Sequence, residues 1–167
     1  MPEVGRVVPI QVAVCGPAEC TPAEGELAHE VGGLLARAGA TVLCGGGPGV
    51  MAAVARGARD AGGLVVGVRP DADRAATRTP EGDFPVMVMT GMGQARNVIL
   101  VLSADAVIAV GGSWGTLSEV ALAMRRGRPV VSLGGWQVAD AAGRPVSGPV
   151  VVTTAAEAVR TALEAAR

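Results

Sequence analysis

The chain alternates short, continuous apolar runs with longer stretches of helical periodicity. Gln11–Cys15 (QVAVC), Thr41–Cys44, Leu64–Val68, Val86–Met89, Ala106–Val110 and Pro129–Leu133 are apolar at nearly every position. Each is followed within two residues by Gly or Pro. Runs without polar alternation predict strands buried on both faces. Val150–Val152 predicts a seventh. Between them, Pro22–Ala38, Val50–Ala61, Met92–Leu102, Gly115–Arg126 and Ala155–Ala166 predict helices. Thr21 is the expected N-cap of the first, with Pro22 at the first helical position and Glu24 in the first turn. Leu117, Val120, Ala121 and Met124 fall on one face of the fourth, and Val159, Ala162, Leu163 and Ala166 on one face of the fifth. Met92–Leu102 is apolar nearly all round, which predicts a buried helix. Trp136–Ser147 predicts a short excursion around Gly143.

Strand and helix alternate throughout, as in a parallel sheet covered on both faces. The expected fold is α/β: a doubly wound, Rossmann-like single domain over residues 1–167, with six to seven strands. Ligands of such sheets bind beyond the carboxyl ends of the strands. Arg69–Pro85 interrupts the pattern, being polar and charged until Phe84. It is a lid or binding loop, or else a plain surface loop.

Composition narrows the chemistry. The 167 residues suit one domain, and with 50% hydrophobic and 17% charged residues the chain is not disordered. Aromatics are 2%, so the core must be Val, Ala and Leu with close backbone approaches. A net charge of −1 argues against a duplex nucleic-acid partner. All 14 basic residues are Arg; without Lys there is neither a Schiff base nor a Walker A loop. There is no Tyr, and the sole His, His29, reads as a structural helix residue. Three Cys (Cys15, Cys20, Cys44) lack metal-ligand spacing, so no metal is expected. Cys15 and Cys44 each end a strand at a glycine turn, as buried small side chains or as pocket lining. There is no signal-like N-terminus and no apolar run of roughly 18 residues, so a cytoplasmic protein without membrane contact is expected.

Two glycine loops stand at strand ends. Gly45-Gly46-Gly47-Pro48-Gly49 follows the second strand, with Met51 just inside the next helix. It brings backbone amides and a helix N-terminus to a ligand, or is only a tight turn. It lacks the dinucleotide spacing, because Val50 stands where a third glycine is needed. The second loop, Gly111-Gly112-Ser113-Trp114-Gly115-Thr116, follows the fifth strand and opens a helix. Its amides and its Ser113 and Thr116 hydroxyls predict a nest for one phosphate. Glu119 lies at the same mouth, though Thr116-x-x-Glu119 also spells a purely structural capping box. Arg96 and Asn97 open the buried helix, where an Arg opposes the local dipole and calls for an anion. The alternative is a solvated Arg at a helix end.

These loops carry a resemblance. Gly-Gly-Ser-Trp-Gly-Thr-Leu-Ser-Glu at 111–119 is similar to the Pro-Gly-Gly-x-Gly-Thr-x-x-Glu hallmark of the LOG (LONELY GUY) family of Rossmann-type nucleotide-binding proteins. Gly45 to Met51 and Arg96 match two further elements, and the similarity spans roughly Val12 to Val131. The resemblance implies a phosphoribohydrolase that cleaves nucleoside 5′-monophosphates, with Arg96 and Glu119 as the catalytic pair and no cofactor. Gly111, Ser113 and Asn97 depart from the hallmark residues Pro, Gly and Lys. These departures are closer to a divergent branch that includes molybdenum-cofactor carrier proteins, which bind a phosphorylated pterin and catalyse nothing. The branch also implies a homodimer or larger homo-oligomer.

Overall fold

The computed structural model describes residues 8–76 and 83–167. Seven parallel strands form one sheet: β1 (Gln11–Cys15), β2 (Thr41–Cys44), β3 (Val65–Arg69), β4 (Val86–Met89), β5 (Ala106–Val110), β6 (Val130–Leu133) and β7 (Val150–Val152). Their order is β4-β3-β2-β1-β5-β6-β7. The helices are α1 (Pro22–Arg37), α2 (Val50–Asp60), α3 (Arg96–Ser103), α4 (Trp114–Arg125) and α5 (Ala155–Ala165). The expected doubly wound α/β fold is present, and its strand order reverses direction between β1 and β5.

Register places the two faces. Val12 and Val14 of β1, with Val42 and Cys44 of β2, face the core beneath α1, α2 and α5. Ala13, Cys15, Leu43 and Val107 face the opposite core, beneath α3 and α4. The first layer is the tighter. Gly32 of α1 lies against the Val54 carbonyl and Gly57 of α2 against the His29 carbonyl, leaving no space for a Cβ. Small residues here let two helix backbones touch, which a chain poor in aromatics uses to reach native packing density. A full capping box starts α1: the Thr21 amide donates to Glu24 (2.8 Å) and the Glu24 amide to the Thr21 hydroxyl (3.2 Å).

The other layer corrects one expectation. A 3-10 turn occupies Gly93–Ala95, so α3 begins at Arg96 and spans only eight residues. Only Leu100 and Val101 of α3 are buried, whereas Ile99 and Leu102 are exposed. Val86 and Val88 of β4 pair in register with Val66 and Val68, share this face and are also exposed. A single chain therefore leaves an apolar strip where an all-apolar helix implied complete burial.

The stretch from Arg69 to Pro85 is tied at both ends. Gly91 and Gly93 donate to the carbonyls of Asp71 and Pro70. Phe84 enters the first core, and Asp83 accepts from Arg56 (3.2 Å). The centre of the expected lid, residues 77–82, lies outside the described residues. The excursion around Gly143 is a small hairpin, bridged at Ala139 and Pro145 and turned on Asp140. No described helix is long and apolar enough to cross a membrane.

Candidate functional site

The carboxyl ends of β1 and β5 bound the crevice where the strand order reverses, the usual ligand position in open α/β sheets. Gly111 leaves β5 with φ +66°, a conformation that favours glycine, and its Cα faces the carboxylate of Glu24 from α1. Ser113 caps α4: its Oγ accepts from the Thr116 amide at 3.2 Å and lies 3.0 Å from the Thr116 hydroxyl. Trp114 and Gly115 are the first two helical residues, so their amides have no intrahelical acceptor. The loop thus presents donors and a helix N-terminus to the crevice.

Placing the cap at Ser113 removes one alternative for Glu119. The third helical position is Thr116, so Thr116 and Glu119 form no capping box. Glu119 sits in the second turn, is only 7% exposed, and is coupled to the Cys15 thiol. Burial pushes its carboxyl up to about 7, against the opposing pull of Arg96 and of the Cys15 thiol. Burial likewise raises the Cys15 thiol well above the usual range, and Cys44 up to about 12.

Arg96 lies between the first glycine loop and Glu119. Its guanidinium packs against Gly45, donates to the Val68 carbonyl at 2.6 Å and interacts electrostatically with Glu119. Its Nε is buried and has no hydrogen-bond partner. Asn97 reaches across to Ser118 (3.4 Å), and its Oδ1 is likewise buried and unpartnered. An unsatisfied buried donor is costly unless a ligand or water supplies the acceptor.

The first glycine loop plays a different part from the second. The Val50 amide at the start of α2 donates to the Pro17 carbonyl (3.1 Å), and Gly49 (φ +66°) lies against Pro17 and Ala18. The loop instead seats side chains. Gly45 and Gly47 make room for Met51, and Gly46 for Arg69, which donates to the Gly46 carbonyl (3.2 Å) and pairs with Asp71. Arg69 and Glu24 are thus at the loops without having been assigned there from sequence. A charged residue ending a strand at the ligand edge was the available signal for Arg69.

Trp136, also unassigned from sequence, lies on Gly112, and Gly135 packs against the Gly111 carbonyl. Trp136 contacts Trp114, with ring centroids 4.9 Å apart. It also lines a cavity of about 460 Å³ between α4 and the 137–149 segment. That cavity shares Gly111 and Thr116 with the loop but includes neither Arg96 nor Glu119. The convergent polar groups lie on the β1 side of α4, and that side is the candidate site.

The SLOG cluster4 family model matches residues 9–160. The chain belongs to that family. A protein of Archaeoglobus fulgidus with no assigned function is 43% identical over 125 residues, covering 74% of this chain and 80% of its own. The molybdenum cofactor binding protein of the phototrophic bacterium Rippkaea orientalis is 31% identical, with a TM-score of 0.80 over 92% of this chain and 95% of that one. The Moco carrier protein of Chlamydomonas reinhardtii is also 31% identical, with a TM-score of 0.80 over 95% and 98%. The two solved relatives are thus a molybdenum cofactor binding protein and a Moco carrier protein.

Proposed function

We propose that this protein binds and carries a phosphorylated, pterin-type small molecule such as the molybdenum cofactor, without turning it over. The reading rests on two observations: the unpartnered Arg96 Nε, on the Glu119 side of α4, and the open amides of Trp114 and Gly115 at the start of that helix. Together they form a donor set for one phosphate, with no Lys in the chain to hold a longer phosphate chain. The Gly111–Thr116 backbone holds the anion, Arg96 adds charge, and Asn97 Oδ1 can accept a hydrogen bond. Glu119, pushed up to about 7 by burial, is about half protonated at neutral pH, which lessens its repulsion of an anionic ligand.

The second reading is a phosphoribohydrolase for nucleoside 5′-monophosphates, favoured by Arg96 and Glu119 sharing one site. There Glu119 would have to be ionised to stabilise an oxocarbenium-like sugar. Chromatography of AMP, CMP, GMP and UMP incubated with the protein separates the two. The carrier releases no base from any of them, while neopterin monophosphate raises its melting temperature. Base release abolished by Glu119→Gln overturns the carrier reading.

The exposed strip of Val86, Val88, Ile99 and Leu102 supports a homo-oligomer that buries this face. Neither nucleic acid nor membrane has a part in this reading.

A further inference from the structure

We infer that Trp114 and Trp136 form the stacking platform for the planar ring of the bound ligand. The inference rests on the proposed anion site at Gly111–Thr116 and adds the part of the ligand that the platform recognises. The chain has two Trp, one Phe and no Tyr, and both Trp stand at this mouth. Trp114 is the first residue of α4, directly after the cap that orders the loop. Trp136 follows β6 and reaches the loop over two glycines with φ of +79° and +86°. Gly112 has to lack a side chain for Trp136 to lie on it, and Gly135 has to lack one to pass the Gly111 carbonyl.

This costly local geometry does not bury the rings. Trp114 is 75% exposed and Trp136 43%, and their planes are tilted by 37°. A core or a lid buries its aromatics. Here the rings are positioned and left open, Trp114 at the first turn of α4 and Trp136 on Gly112. A phosphate on those amides puts the remainder of its molecule within reach of the indole faces. Exposed indole faces stack most strongly on flat aromatic heterocycles. The ligand class is therefore an anion tethered to a fused planar ring, such as a pterin or a purine.

The test compares ring-bearing and ring-free anions by calorimetry on the full chain. Neopterin monophosphate and GMP carry a ring, and ribose 5-phosphate does not. Trp114→Ala is expected to weaken neopterin monophosphate about tenfold or more, the usual scale for losing one stacking face. Ribose 5-phosphate should bind both proteins equally, and Trp114→Phe should recover most of the loss. Quenching of the single indole left in Trp136→Phe by GMP gives an independent readout. Equal affinity of neopterin monophosphate for the wild type and Trp114→Ala, with ribose 5-phosphate still bound, overturns the platform and leaves the anion site standing. Binding of neither phosphate by the wild type overturns the anion site, and the platform falls with it.

Discussion

Cys15, the last residue of β1, is buried beside Glu119 of α4 where the two halves of the sheet meet, and its thiol and the carboxyl are electrostatically coupled. The pairing sets a strand end against a carboxyl that burial pushes up to about 7. Its consequence for stability has a definite sign. The folded carboxyl is raised from 4.5 to about 7, so the native state binds more protons than the unfolded chain in that window. Stability is fully present below about pH 4.5 and is lost as pH rises through 7, by about 3 kcal/mol in total. Glu119→Gln removes the titrating group. Denaturant midpoints should show the variant gaining on the wild type from pH 5 to pH 8; a constant difference would contradict the shift.

The thiols make a second expectation. Cys15 and Cys44 are fully buried with raised pKa values, whereas Cys20 is partly exposed. Thiolate is the reactive form. At pH 8 the native protein should take one iodoacetamide label by mass spectrometry, and three after unfolding. Rapid labelling of all three in the native state would show that the crevice opens.

Gly45→Ala puts a methyl group into the Arg96 guanidinium and the Met51 sulfur. Both are ends of side chains, so the fold should survive with a loss of about 1–3 kcal/mol, the scale of overpacking. Arg96 has to leave its place, and neopterin monophosphate affinity should fall by more than stability does. Unchanged affinity would remove Arg96 from the anion site.

Leu102→Glu sets a charge in the exposed apolar strip of α3. In a monomer this surface change should cost little. In the proposed homo-oligomer it should lower the sedimentation mass to that of one chain. An unchanged mass would place the interface elsewhere.

The legibility of this chain follows its physics. β1, β2, β4, β5 and β7 stand at the residues predicted; Ala106–Val110 is buried at every position, as a run without polar alternation implies, whereas the edge strands β4 and β7 carry the same apolar pattern but are largely exposed. The start of α4 depended on choosing between two hydroxyl caps three residues apart, and Ser113 rather than Thr116 holds the position. That choice decided whether Glu119 was a cap or a buried acid. The apolar character of α3 was legible, but a single sequence does not say whether its own sheet or another surface covers it. The position of Arg69 under Gly46 and of Trp136 on Gly112 depends on contacts 23 and 24 positions apart in sequence, which no local pattern encodes.

The seat of α1 on α2 has a mechanical consequence. Gly32 and Gly57 bring the two backbones into contact without a cushion of side chains. The first turn of α1 carries Glu24 to Gly111, and α2 grows out of the loop that seats Arg96 and Met51. Glu24 at Gly111 and the loop beneath Arg96 are therefore both carried on one closely packed pair of helices, so the position of one loop is referred to the other through two touching backbones.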